Sequence, residues 1–160
     1  MKITEKQIEK IAESIDVGFI CHINPDTGEI EETSDHGYDF NYIDDVNDEE
    51  EYEEFLESEP DWQKEMRKEI KEQTARIDSW ERCIIIEKPD SSKAFRFMED
   101  FVEEIIPESE QKMYWKALQW KKPFANFNDL IHDSEYLDDW YEFKKNKLME
   151  YVKEELIDNR

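Results

Sequence analysis

The sequence predicts an α+β fold, predominantly helical, with a small antiparallel sheet packed against C-terminal helices. Three observations predict it. Apolar residues recur at three- and four-residue spacing along much of the chain, the mark of amphipathic helices. A turn signature, Asn24-Pro25-Asp26-Thr27-Gly28-Glu29, separates two β-prone runs, as in a hairpin. Finally, Cys83-Ile84-Ile85-Ile86 is an isolated apolar run, of strand rather than helix length.

The first helix is expected over 4–15. Ile8, Ile11, Ala12 and Ile15 share one stripe, and Thr4 with Gln7 three residues on reads as a capping box. A strand over 17–23 follows, with Phe19, Cys21 and Ile23 alternating onto one face. In the turn, Pro25 presets φ, Asp26 can bond its own backbone and Gly28 supplies positive φ. The return strand is expected over 29–33. Tyr38, Phe40 and Tyr42 alternate, which allows a short strand over 38–42. Helices are expected over 49–58 and 61–77, divided by Glu59-Pro60. In the second, Trp62, Met66, Ile70 and Ile77 form the inner stripe.

The run 83–87 is expected to be a strand buried on both faces. After Pro89, Asp90 or Ser91 caps a helix whose stripe is Ala94, Phe95, Met98, Phe101, Val102 and Ile105. Pro107 ends it, and the next helix carries Met113, Tyr114, Trp115, Ala117 and Leu118. Lys121-Lys122-Pro123 breaks the chain before a short helix with Phe124, Phe127 and Ile131. A last helix over about 135–157 presents Leu137, Trp140, Tyr141, Leu148, Tyr151, Val152 and Leu156. With three glycines and no Pro/Ser-rich linker, residues 1–160 read as one domain.

The chain has 160 residues, 44 of them acidic and 21 basic, for a formal charge of −23. Residues 11–63 contain no Lys or Arg and carry −19 of that charge, leaving −4 for the rest. An acidic third therefore precedes a much less acidic helical body over 80–158. The sharpest run includes Asp44, Asp45, Asp48, Glu49, Glu50 and Glu51. Such a block is either a solvated segment or a surface that steers a basic protein partner. A nucleic-acid backbone is disfavoured, since phosphates require a basic footprint. No membrane partner is expected, because no run approaches the roughly 18 apolar residues of a span. Two cysteines and an N-terminus that opens in a charged amphipathic pattern predict a reduced cytoplasmic protein without a signal peptide.

Chemical motifs are sparse. Gly18, Gly28 and Gly37 lie too far apart for a phosphate-cradling loop. Asn24 to Gly28 reads as a hairpin turn, not a calcium loop, because its glycine is one position early and no helix precedes it. Cys21 and Cys83, each in an apolar run, read as small buried hydrophobes, and no further ligands suggest a metal site. His22 is a candidate general base without a paired acid or nucleophile at fixed spacing. His132 suits a helix C-terminus. The aromatics Trp115, Trp120, Phe124, Phe127, Trp140, Tyr141 and Phe143 read chiefly as core. Beside them, Lys116, Lys121, Lys122, Lys144, Lys145 and Lys147 mark the one region where a basic patch can form. No cofactor is expected.

Arg82-Cys83-Ile84-Ile85-Ile86-Glu87-Lys88-Pro89-Asp90-Ser91 and Met98-Glu99-Asp100-Phe101-Val102 are followed in order by Ala117-Leu118, Lys122-Pro123-Phe124, Phe127 and Trp140-Tyr141-Glu142-Phe143. This ordered set resembles a bacterial family of unknown function in the UPF series, family number 0158. The hairpin with Asp26-Thr27-Gly28-Glu29 is similar to that family's start. The resemblance covers 80–158 well and 17–33 loosely, with the acidic middle as an insertion or divergence. It implies no activity. Family members tend to carry a glycine and a basic pair around the Pro-Phe element, where this chain has Trp120 and Ala125-Asn126. That departure lowers the expectation of an anionic ligand.

The favoured reading is a non-catalytic interaction protein whose acidic third meets a basic partner. Two alternatives stay open: an enzyme using carboxylates and His22, and a nucleic-acid-associated module using the C-terminal lysines.

Overall fold

The computed structural model describes residues 3–34 and 60–159. The strand expected over 38–42 and the helix expected over 49–58 lie outside the described residues. Helix α1 (Glu5–Asp16) starts as expected: the Thr4 hydroxyl accepts from Gln7 N–H at 3.2 Å and Gln7 Oε1 accepts from Thr4 N–H at 2.9 Å. This reciprocal box satisfies two otherwise orphaned donors. Ile8, Ile11, Ala12 and Ile15 are buried on one face. The helix runs one residue past its expected end. Val17 caps it, and Gly18 then adopts φ +102°, which glycine tolerates without strain. Strand β1 (Phe19–Ile23) therefore starts two residues late, and Phe19 is exposed at its open end, not in the core.

Strand β2 (Ile30–Ser34) pairs antiparallel with β1, His22 opposite Glu31 and Ile23 opposite Ile30. Asn24 N–H donates to Glu29 O at 2.8 Å, and Gly28 N–H, at φ +83°, donates to Asn24 O at 2.8 Å. The side chain that shapes this turn is Asn24, whose Oδ1 accepts from Asp26 and Thr27 N–H. Asp26 instead points outward and pairs with Arg82.

Strand β3 (Ile84–Ile86) adds to the other side of β1, so the sheet order is β2-β1-β3. Here the expectation of a strand buried on both faces is corrected. Ile84 and Ile86 are buried, but Ile85 is 53% exposed and Cys83 is exposed. A three-residue strand on a sheet covered by helices on one face follows the period of two, which its composition hides.

Helix α2 (Asp61–Asp78) forms where expected, yet no residue in it is buried. Trp62 and Ile70 are exposed, so the stripe is not a core face. The helix is held at the sheet by polar contacts instead. Gln73 Nε2 donates to Glu32 O at 2.8 Å and to Glu31 Oε2 at 3.0 Å, while Arg76 meets Glu31 at 2.8 Å. At Glu32 a side chain, not another strand, thus meets the backbone of β2.

The remaining helices are α3 (Ser91–Glu104), α4 (Glu108–Gln119), α5 (Pro123–His132) and α6 (Leu137–Asp158). Asp90 caps α3 by accepting from Lys93 N–H at 2.9 Å. Phe97, Met98, Phe101 and Val102 are its buried residues. Because α3 stops at Glu104, the chain turns and buries Ile106 in place of the expected Ile105. Helix α6 packs against α1, α3, α5 and β3. Its buried face is Trp140, Leu148, Val152 and Leu156; Tyr141, expected there, is exposed. Phe101, Phe127 and Trp140 meet edge-to-face, with centroids 4.8 to 6.3 Å apart.

The one-sided sheet has a direct check in chemical denaturation. Ile86→Ala should cost about 2–5 kcal/mol because it opens a cavity, whereas Ile85→Thr one residue away should stay within about 0.5 kcal/mol.

Candidate functional site

The outer face of the sheet brings together side chains distant in sequence. His22 lies between its neighbours Glu31 on β2 and Ile85 on β3. Its Nε2 is 3.0 Å from Thr33 Oγ1, and its Nδ1 is 3.9 Å from Cys83 Sγ. Sequence reasoning found no partner for His22. The separation of 61 positions between it and Cys83 is closed by the pairing of β1 with β3. Cys21, next in sequence, faces the opposite side and is fully buried.

The chemistry of this pair is passive. Burial lowers the pKa of His22, opposed by the nearby Glu31 carboxylate. Burial raises that of Cys83, opposed by a backbone hydrogen bond from Ile23. A nucleophilic cysteine needs the reverse, a thiolate favoured by an imidazolium. Here a protonated thiol rests beside a neutral imidazole at neutral pH. Burial likewise pushes the Cys21 thiol up to about 11. Glu31 sits below the usual carboxylate range because Arg76 and Gln73 donate to it. Among the described residues, no three His, Cys, Asp or Glu side chains group as metal ligands, and no helix is long and apolar enough to cross a membrane.

The charged candidates separate into two sets. Asp44, Asp45, Asp48, Glu49, Glu50 and Glu51 lie outside the described residues. The described acids of the N-terminal third are largely engaged: Asp16 pairs with Lys144 at 2.8 Å, Asp26 with Arg82 and Glu31 with Arg76. Glu32 accepts from the Ser14 hydroxyl at 2.6 Å. The six C-terminal lysines do not form one patch. Lys144, Lys145 and Lys147 reach Asp16, Glu9 and Asp100 and tie α6 to α1 and α3. Lys116, Lys121 and Lys122, in α4 and the turn after it, are exposed.

Lys116 also lines an open groove of about 580 Å³ between α4 and α5. Met113, Lys116, Ala117 and Trp120 line one wall, and Asn126, Asp129 and Leu130 the other. Met113 is 52% exposed here, and Trp120, read from sequence chiefly as core, is 70% exposed. Of the aromatics read as core, Phe127 and Trp140 are buried and Trp115 and Phe143 half-buried, whereas Phe124 and Tyr141, like Trp120, are exposed because the helices packed on that core leave them uncovered. Asn126 Nδ2 donates to Ala117 O at 3.1 Å and to Lys121 O at 2.8 Å, which braces the turn from α4 to α5. Lys122 enters α5 at φ +57°.

Comparison with known proteins adds kinship. The uncharacterised protein family UPF0158 matches residues 29–160, so the acidic segment, read from sequence as an insertion or divergence, lies inside the matched span. A UPF0158 protein of Pseudomonas aeruginosa is 31% identical over 80 residues, which are 49% of this chain and 52% of the relative. The chain thus spans about half the length of that relative. No solved structure matches.

Two measurements check the sheet face. Because the folded pKa of His22 lies below its ordinary 6.5, the unfolded chain binds the extra proton between those values. This histidine's contribution to stability is therefore full above pH 6.5 and is lost as pH falls toward the folded pKa. Denaturation series from pH 7.5 down to 5 should show that slope, and His22→Gln should flatten it. Alkylation by iodoacetamide at pH 7.5 should modify Cys83 more slowly than a free thiol, and Cys21 only on unfolding.

Proposed function

The chain belongs to the UPF0158 family, and on that footing we propose that it is a non-catalytic protein-interaction module of the cytoplasm whose acidic N-terminal third docks a basic partner. One observation carries the reading. Of the six acids of that third that lie in α1 and the hairpin, Asp16, Asp26 and Glu31 are matched internally, by Lys144, Arg82 and Arg76. Residues 35–59 hold 12 acidic side chains and no Lys or Arg, the densest block of acid in the sequence. Such a block raises the local concentration of a cationic partner over roughly a Debye length, about 8–10 Å. It favours fast, salt-sensitive association more than high affinity.

Further support comes from the resting chemistry of the sheet face, where the thiol of Cys83 is held protonated. The free cysteines Cys21 and Cys83 suit a reducing compartment.

Low-salt affinity purification with the intact chain should retain a basic protein that elutes as salt rises. A variant carrying Asp44→Asn, Asp45→Asn, Glu49→Gln, Glu50→Gln and Glu51→Gln should fail to retain it. Equal retention by both chains, or no basic protein with either, sinks the reading.

A further inference from the structure

The segment that forms the α4 wall of the groove and the turn into α5 is basic in an acidic chain. Between Gln111 and Asn126 there are four lysines and no Asp or Glu, in a protein of net charge −23. Lys112 and Lys116, four residues apart, share one face of α4, and Lys121 and Lys122 follow at its end. All four are exposed, and among the described residues none is in an ion pair. Burying the lysine stems while the ammonium groups stay wet would extend the apolar floor made by Met113, Ala117 and Leu130.

Trp120 stands at the end of this floor with most of its ring in water. A large exposed aromatic beside an apolar trough, flanked along α4 and the turn after it by lysines, is the composition of an interaction hot spot. The walls are two helices joined by a turn that Asn126 fixes from both sides. The trough is therefore preformed, which reduces the ordering cost of binding.

We propose that this groove docks an acidic amphipathic helix of a partner protein. The apolar positions of that helix, spaced i, i+3, i+4 and i+7, would lie along Met113, Ala117 and Leu130 and against Trp120. Its flanking carboxylates would meet Lys112, Lys116, Lys121 and Lys122. Charge complementarity selects this occupant: a basic helix is repelled by Lys112, Lys116, Lys121 and Lys122. Asp129, on the α5 wall, sets the polarity across the trough and favours an uncharged or basic residue of the guest at that point. The surface is separate from the acidic run and the two readings stand or fall independently.

The test uses the full chain and a synthetic helix of about 18 residues with Leu at i, i+3, i+4 and i+7 and Glu and Ala elsewhere. Its counterpart carries Lys in place of Glu. Calorimetric titration at about 50 mM salt should show binding of the Glu peptide and none of the Lys peptide, weakening as salt rises. Trp120→Ala should weaken binding about tenfold or more, and the triple variant Lys116→Glu, Lys121→Glu, Lys122→Glu should abolish it. Neutralising Asp44, Asp45 and Glu49 to Glu51 should leave it intact. Trp120 is exposed, so circular dichroism of its variant should match the parent, and amide shifts in the parent should concentrate at Met113, Trp120 and Leu130. Equal binding of both peptides, or indifference to Trp120→Ala, overturns the proposal. So does tighter binding of a single-stranded oligonucleotide, or a dimer in sedimentation that Trp120→Ala dissolves.

Discussion

Phe101 is fully buried and meets rings from two other helices: Phe127 of α5 at 6.3 Å, and Trp140 and Phe143 of α6 at 5.2 and 5.3 Å. Edge-to-face contact of this kind is directional, so these rings set the angles between helices as well as excluding water. Tyr114 joins from α4 by packing on Phe127 at 6.0 Å. Four helices are thereby registered to one another from the inside. The spacing between α4 and α5, and hence the groove outside them, depends on that inner contact. Proteins at interior packing density transmit such constraints because little free volume absorbs a shift.

The sheet depends on the same body from another side. Helix α6 packs on both α1 and β3, and α1 covers β1 with Ile8, Ile11, Ala12 and Ile15. Tyr151 of α6 donates its hydroxyl to Glu87 O at 3.2 Å just past β3. Around this apolar seam run ion pairs between α6 and the first helix, Lys144 with Asp16, Lys145 with Glu9 and Lys153 with Glu5. Being exposed, they add little stability. Their effect is on the charge map. They set bases from the other end of the chain against acids of α1, while the lysines near Trp120 take no part in them.

Much of the architecture was legible because its determinants are local. The Thr4–Gln7 box, the Asp90 cap, the stop at Pro107 and the turn closed by Gly28 all act within a few residues. Where expectation and structure part, a long-range choice intervened. The composition of Ile84-Ile85-Ile86 says strand, but whether Ile85 is covered depends on which elements reach that face of the sheet. Trp62, Met66 and Ile70 repeat at helical spacing, and α2 forms, yet its inner face is set by Gln73 and Arg76 gripping β2. Met113 has the same spacing as core residues. The one sequence signal that marks its surroundings as a surface is the absence of acids from 111 to 126.

By itself the sequence determined the class of fold, the position of nearly every described helix and strand, the imbalance of charge and the kinship with an uncharacterised family. Each of these follows from backbone preference, apolar period or composition, which short segments carry within themselves. Only the tertiary structure decided that Cys83 rests against His22, that Lys144, Lys145 and Lys147 are spent on internal ion pairs, and that Trp120 borders an open trough. Those outcomes join residues far apart along the chain or depend on which face another element covers. Local preference is indifferent to that choice, and packing makes it.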